Sequence, residues 1–261
     1  MVPNSSHSQL AETLPSINAS EYFVYNASMA SSWVQDRIDT GSDYIKLVAE
    51  AYPPTMTQQE HNSINDAAHQ TDYYTWTHAA TLSGYNTSIL SKTDFIQHTP
   101  ADGNLTDEMI AAIVANKQYV TPTVNVYLQA AAAQVALNLT DSQTSALNYT
   151  VLYNVKRMYD AGVPILVGTD ASLNGNGPAK FYFGVSLHQE MKLLSEYGVS
   201  NLDVLKGATS RAAQAYNMLD RGAILPGMRA DLLLIQGNPL EDISVIDNIV
   251  KVWTAGVEYP S

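Results

Sequence analysis

Apolar residues occur in two patterns along the chain, as short continuous runs and as longer stretches with helical spacing. The clearest run is Pro164–Thr169, and it ends in Asp170. A short apolar run bounded by turn residues predicts a strand covered on both faces, as in a parallel sheet. Other runs rich in apolar and β-branched residues predict further strands at 21–27, 43–48, 73–78, 94–98 and 119–124.

Stretches with helical spacing separate these runs. The alternation of strand and helix predicts a parallel sheet with right-handed crossovers. The predicted helices cover 28–40, 58–70, 106–115, 128–137, 142–161, 184–197, 201–206 and 209–218. After Arg221 the helical spacing stops, and short β segments at 222–226, 231–236 and 249–257 predict a small separate β unit. The chain is therefore expected to form one α/β domain at 1–220 and a β portion at 221–261.

Charge and composition exclude several classes of partner. The chain has 261 residues and a net charge of −12, from 25 acidic and 13 basic side chains. It has no cluster of Lys and Arg to neutralise phosphates, so we expect no nucleic-acid or membrane partner. It also has no cysteine, which excludes disulfides and thiolate metal sites.

Glycosylation sequons indicate a secreted protein. Seven Asn-X-Ser/Thr sequons occur, more than the composition gives by chance, and all lie before residue 150: Asn4, Asn18, Asn26, Asn86, Asn104, Asn138 and Asn148. The polar residues 1–10 lack the apolar core of a signal peptide. We therefore expect a secreted glycoprotein, as a mature chain or as part of a longer precursor.

Four chemically reactive residues lie at or near the ends of predicted strands: Lys46, His78, His98 and Asp170. Because the carboxyl ends of parallel strands meet on one face, we expect these side chains to converge there. Two imidazoles and a carboxylate suit zinc and similar metals. Each residue alone has a simpler interpretation, since a strand histidine can be a core residue and Asp170 can cap a helix. A lysine buried in a strand is costly as an ammonium, and reaction with carbon dioxide would turn it into an anionic ligand.

A series of short sequence motifs covers residues from about 40 to 260. They include Asp43–Lys46, Thr77–Ala79, Phe95–His98, Val120–Thr123, Ala161–Asp170, Leu187–Glu190, Ala208–Ala213, Arg221–Ile224, Ala230–Leu232 and Asn238–Ile243. With these motifs the chain resembles the metal-dependent amidohydrolases, in the branch near imidazolonepropionase-like enzymes and prolidases. The resemblance implies a (β/α)₈ TIM-barrel-like fold, incomplete at its first strands, with a small C-terminal β-sandwich portion.

The resemblance also implies a site and a reaction. Lys46 corresponds to a carbamylated lysine that bridges two metals, His78 and His98 to ligands of the second metal, and Asp170 to a ligand of the first. Asp170 would also transfer protons as the catalytic residue. The expected cofactor is one or two divalent metal ions, zinc first. The expected activity is hydrolysis of an amide or other C–N bond in a small molecule by a metal-activated water.

Two departures from the family pattern limit this expectation. The chain has no His-X-His pair, which in the family holds the first metal, so a shortened form lacking the first barrel strands is expected. Residues 48–54 also lack the Gly-rich turn that follows the lysine in prolidase-like members, which makes a dipeptide the less favoured substrate. The alternatives are an inactive remnant that binds a metal or small ligand, and a lactone or ester hydrolase.

Three further histidines are expected outside the set of metal ligands. His188 is expected to be structural or to support a metal ligand from behind, and His61 and His69 to lie on the surface. Exposed strand edges of an incomplete barrel favour pairing with another segment, so we expect a homo-oligomer or a sheet completed by the N-terminal segment.

Overall fold

The computed structural model describes residues 22–49, 55–132, 140–171 and 182–260. The chain forms two compact units, which are described separately. The first unit ends at Val120 and also contains Ala161–Val163, and the second contains Thr121–Asp160 and the residues from Pro164 onward. The predicted boundary between 1–220 and 221–261 stays a prediction.

The first unit alternates helices with strands. Its strands are β1 (Ile45–Val48), β2 (Thr75–His78), β3 (Phe95–Gln97) and β4 (Tyr119–Thr121), the last of which ends on the first residue of the second unit. Its helices are α1 (Ala30–Asp39), α2 (Gln58–Gln70), α3 (Leu82–Ser91) and α4 (Asp107–Ala115), preceded by a 3₁₀ turn at Ala27–Met29. The strand expected at 21–27 is wrong, because the Asn26 side chain accepts from the Ser28 amide and starts the 3₁₀ turn.

The strands form one sheet in the order β1-β2-β3-β4. β1 pairs with β2, and β2 with β3, in parallel. Alternate residues of β1, Ile45 and Leu47, are buried and join the core formed with α1 and α2. The fold class expected from the pattern is confirmed, and the opposite face of the strands remains available for a site.

Helix α2 begins and ends where the sequence predicts. Thr57 accepts from the Glu60 amide, and the Glu60 carboxylate accepts from the Thr57 amide, which makes a capping box. The surface position expected for His61 is wrong, because its side chain is completely buried in this helix. His69, at the other end of α2, is exposed as expected.

A polar cluster closes the amino ends of β2 and β3. Asp94 accepts from the Thr75 amide at 2.7 Å and lies 2.9 Å from Nε2 of His69. The Thr75 hydroxyl also donates to the Asn65 side chain. This cluster lies at the end of the strands opposite His78, so we assign His69 a structural contact.

Among its described residues, the second unit has five helices and a small antiparallel sheet. The helices are α5 (Val124–Ala132), α6 (Asp141–Asp160), α7 (Val185–Glu196), α8 (Asn201–Ala208) and α9 (Ser210–Ala215). The sheet has the order β5-β6-β7, built from Leu232–Ile235, Ile249–Thr254 and Val257–Glu258, with a 3₁₀ turn at Ile243–Asp247. The C-terminal β portion is therefore confirmed. The β segment expected at 222–226 is wrong, since no strand forms there and Ile224 is 86 % exposed.

Candidate active site

Two histidines meet at the carboxyl ends of neighbouring parallel strands. His78 is the last residue of β2, and His98 follows β3 directly. The centroids of their rings lie 4.5 Å apart, with the rings inclined by 68°. His98 is buried and His78 half-buried. The predicted convergence of these two imidazoles is therefore observed.

The backbone of His98 is held in an uncommon conformation. Its φ is 74°, in the left-handed region that non-glycine residues rarely adopt. The buried hydroxyl of Tyr85, on α3, donates to the His98 carbonyl at 2.7 Å. Helix α3 comes close to the strand ends because Gly84 has no side chain, and a Cβ there would lie 2.7 Å from the Ala49 carbonyl oxygen. Sequence reasoning identified His98 but not the helix contact that fixes it.

Lys46 lies on the same face of the sheet as His78. Lys46 pairs with Trp76 and Val48 pairs with His78, so all four share one face of the pleated sheet. The expectation that Lys46 is buried is wrong, because its side chain is exposed at the terminal strand of the described sheet. The desolvation argument for carbamylation therefore does not hold in this structure, and carbamylation stays a proposal.

Aromatic rings form a layer toward the amino ends of the same strands. Tyr44 stacks on Trp76 at 3.9 Å, and Phe95 stacks on Tyr119 at 5.2 Å. Trp76 and Phe95 also touch, with centroids 5.1 Å apart. Trp76 comes two residues before His78 and therefore lies on the same face of β2 as that imidazole.

Asp170 belongs to the second unit and is exposed. It follows Pro164–Thr169, the run predicted as a buried strand. Only Ile165 of that run forms a β-bridge, and the remainder has no regular secondary structure. The φ of Asp170 is 52°, so it shares the left-handed backbone of His98. Such strain at strand ends is common at functional sites.

Two helices fix the run that leads to Asp170. Arg211 of α9 donates to the Ile165 carbonyl at 3.1 Å and forms an ion pair with Asp203 of α8 at 2.7 Å. Bonds from Ser200 and Arg211 lower the pKa of Asp203 to about 2, against a smaller effect of burial. The Val167 amide donates to the carbonyl of Gly207 on α8. The motif at 208–213 therefore supports the backbone before Asp170.

The motif at 187–190 connects α7 to two other segments, the 3₁₀ turn and α5. Nδ1 of His188 lies 2.9 Å from Asp247 in the 3₁₀ turn, and this contact supports its structural interpretation. The Gln189 side chain accepts from Asn125 and Gln129 on α5. Glu190 accepts from the backbone at the start of α5. Sequence reasoning missed Glu190, for which the only signal was its place in the motif.

The profile of the amidohydrolase family matches residues 34–258, most of the chain. The chain belongs to the amidohydrolase family. It is 33 % identical to an imidazolonepropionase of Deinococcus deserti over 104 residues, which are 39 % of this chain and 25 % of that protein. An adenine deaminase 2 of Desulfotalea psychrophila is 32 % identical over 71 residues, 27 % of this chain and 11 % of that protein.

Solved structures share the amidohydrolase fold. A Xaa-Pro dipeptidase with bound methionine superposes with a TM-score of 0.76 at 24 % identity, covering 92 % of this chain and 60 % of the dipeptidase. The ochratoxinase of A. niger superposes with a TM-score of 0.72 at 21 % identity, covering 92 % of this chain and 55 % of the enzyme. The chain thus spans about 60 % or less of the length of these relatives.

The family implies a divalent metal, and the histidine pair fits part of such a site. Two imidazoles at this distance are suitable nitrogen donors for a borderline metal. Within the ranges that the structure describes, no group of three or more His, Cys, Asp or Glu side chains is arranged to hold a metal ion. The described residues of this amidohydrolase therefore fit a partial site of His78 and His98, and Lys46 lies on the same face of the sheet as His78.

Proposed function

We propose that this amidohydrolase cleaves an amide or other C–N bond of a small molecule with water. The observation that supports this best is the pairing of His78 and His98 at the carboxyl ends of β2 and β3, in a chain of this family. Loops at the carboxyl ends of parallel strands are where such folds carry their chemistry.

Four residues receive roles in this proposal. His78 and His98 hold a divalent metal, zinc first, and Lys46 completes the ligand set after carbamylation. A bound metal supplies a Lewis acid that polarises the carbonyl and lowers the pKa of water. Asp170, an exposed carboxylate, takes a proton from the attacking water and transfers it to the leaving amine.

The substrate class follows from the relatives and from the sequence after β1. The chain is similar to an imidazolonepropionase, a Xaa-Pro dipeptidase and an ochratoxinase. The sequence Val48-Ala49-Glu50-Ala51-Tyr52-Pro53-Pro54 has no Gly-rich turn, which favours non-peptide amides over dipeptides. We therefore propose small cyclic or N-acyl amides as the first substrates to test.

Metal content and turnover test this function together. The purified chain is treated with chelator, reloaded with Zn²⁺ or Mn²⁺, and measured by elemental analysis and with a panel of amides, an ester and a lactone. The expected result is metal-dependent amide hydrolysis, which His78→Ala lowers about a hundredfold along with metal content. The control is His69→Ala, which removes an exposed imidazole at the opposite end of the strands. Turnover that survives both chelation and His78→Ala would contradict the proposal.

A second candidate function is metal or ligand binding without catalysis. It is favoured by the lack of a His-X-His pair in the sequence and by the small ligand set among the described residues. Stoichiometric metal that depends on His78, with no hydrolysis of any substrate in the panel, would support this alternative. Hydrolysis of the ester or lactone alone would instead support the related hydrolase activity.

We also propose that the protein is a secreted glycoprotein that forms homo-oligomers. No helix in the described part of the chain is long and apolar enough to cross a membrane. Asn104 is exposed in a loop, where an oligosaccharide would meet no packed neighbour. Expression in a secretory host, followed by glycosidase treatment, is expected to lower the apparent mass of wild type but not of a variant with all sequon asparagines replaced by Gln.

A further inference from the structure

Glu190 is a completely buried carboxylate in the middle of α7. Its Oε1 accepts from the Val124 amide at 2.8 Å, and its Oε2 accepts from the Asn125 amide at 2.7 Å. These partners lie 66 and 65 residues away along the chain. One side chain therefore fixes two consecutive backbone amides of a distant segment.

Those amides begin helix α5, directly after the turn that follows β4. The first amides of a helix have no partner within the helix, and an anion at this end is favoured by the helix dipole. Thr123, the residue before α5, has a φ of 49° and is buried. A β-branched residue in this region is strained, so the turn needs outside contacts to hold it.

The neighbouring side chains connect α7 to the same segment. The Asn125 amide group donates to Gln189 at 3.1 Å, and Gln129 donates to the same oxygen at 3.0 Å. Gln189 and Glu190 thus contact Asn125 through its side chain and its backbone. The turn after β4 is attached to α7 by a group of short-range polar contacts rather than by packing alone.

A carboxylate at this position is energetically costly. Burial raises the pKa of Glu190 to about 7, and the two backbone amides oppose this only in part. An apolar side chain would fill the space without the cost of desolvating a charge. The carboxylate thus contributes what an apolar side chain cannot, two acceptors with fixed geometry.

We propose that Glu190 is a positioning residue of the proposed active site, whose carboxylate holds the turn at Thr123–Asn125 through two backbone amides. This inference rests on the proposed function, since the turn follows the carboxyl end of β4, and β4 neighbours β3 in the sheet. The turn held by Glu190 follows β4 in the chain, as His98 follows β3. Small displacements of such loops misalign reacting groups and lower turnover.

Hydrogen exchange tests the positioning role without any substrate. In the wild type, the Val124 and Asn125 amides are expected to exchange at least about tenfold more slowly than the Gln58 and Gln59 amides at the start of α2. In Glu190→Gln, one of the two acceptors becomes a donor, so the exchange of at least one of the Val124 and Asn125 amides is expected to rise at least about tenfold. The matched control is Glu196→Gln, the same change at an exposed position of α7.

Kinetics on a hydrolysed amide test the catalytic consequence. Glu190→Gln is expected to change KM as well as lower kcat, whereas a mere loss of folded protein lowers apparent kcat alone. Unchanged exchange of both amides in Glu190→Gln overturns the positioning role. A wild type in which both amides exchange as fast as the Gln58 and Gln59 amides of α2 also overturns it. The wild-type comparison decides the matter if the variant does not fold. Faster exchange with unchanged KM and kcat overturns the role in catalysis, and a wild type that hydrolyses nothing overturns the proposed function itself.

Discussion

His61 is an imidazole that the fold keeps neutral. Its side chain is fully buried on α2, and neither ring nitrogen makes a hydrogen bond within the part of the chain that the structure describes. Burial lowers its pKa to about 4, although the nearby backbone of Val48 opposes this in part. The unfolded chain therefore binds a proton near pH 6.5 that the folded chain does not bind until about pH 4.

This difference predicts a loss of stability in acid. Between pH 7 and pH 5 the unfolded state gains a proton at His61, so the free energy of unfolding falls by about 2 kcal/mol. His61→Leu is expected to remove that part of the pH dependence. Urea unfolding of wild type and variant at the two pH values measures it.

His69, on the same helix, is a control whose effect on the pH dependence of stability has the opposite sign. The bond to Asp94 raises its pKa, so its contribution to stability is present below pH 6.5 and is lost as pH rises through the folded value. His69→Leu should therefore steepen the loss of stability in acid. If the free energy of unfolding of His61→Leu depended on pH as strongly as that of the wild type, the His61 ring would be protonated or solvated in the folded state.

The site residues differ in how far the sequence could predict them. His78 and His98 were predictable because each ends a β-rich run, and strand ends converge in parallel sheets. The exposure of Lys46 was not predictable, because it depends on whether another strand covers β1. The position of Glu190 was least predictable, since its partners lie about 65 residues away and a glutamate in a helix ordinarily faces water.

At the scale of elements, α8 lies close to the run that ends in Asp170. Gly207 permits this approach, because a Cβ there would lie 2.9 Å from the Ile165 carbonyl oxygen and 3.2 Å from the Val167 side chain. Alanine ordinarily stabilises a helix relative to glycine by about 1 kcal/mol. At position 207 the contact with the Ile165 carbonyl should instead make alanine less stable than glycine.

Gly207→Ala is therefore expected to lower the free energy of unfolding by about 1–3 kcal/mol, because α8 and the run at 164–169 must move apart. Urea unfolding measures the change, and Lys206→Ala, at the exposed neighbouring position, is the control with almost no expected effect. A stabilised Gly207→Ala variant would show that the two segments separate without cost.

Elements with local signals were predicted best. Helix α2 has a capping box at Thr57 and Glu60, so its start was fixed by neighbouring residues. The strands expected at 21–27 and 222–226 did not form, because an apolar run becomes a strand only where another strand pairs with it. The same reason explains why Pro164–Thr169 forms a bridge at Ile165 alone.

At the scale of the molecule, apolar side chains remain exposed on the small C-terminal sheet. Leu233 pairs with Val252 and so shares a face with it, and Val257, on β7, is 70 % exposed. Leu233 itself is 49 % exposed. Apolar faces that stay open in a single chain commonly mark contacts with other protein surfaces. We therefore expect the proposed homo-oligomer to use this face of the β5-β6-β7 sheet.

Leu233→Lys should weaken self-association, because an ammonium on this face would be desolvated in the contact. Leu234→Lys is the matched control, since Leu234 is 46 % exposed and points to the opposite face of the same strand. Sedimentation velocity at micromolar concentration is expected to give an oligomer for wild type and Leu234→Lys and a monomer for Leu233→Lys. Equal effects of the two variants would contradict the assigned face, and a monomeric wild type would contradict self-association itself. Because the substitutions are adjacent and chemically identical, a difference between them reports the face of the sheet rather than the added charge.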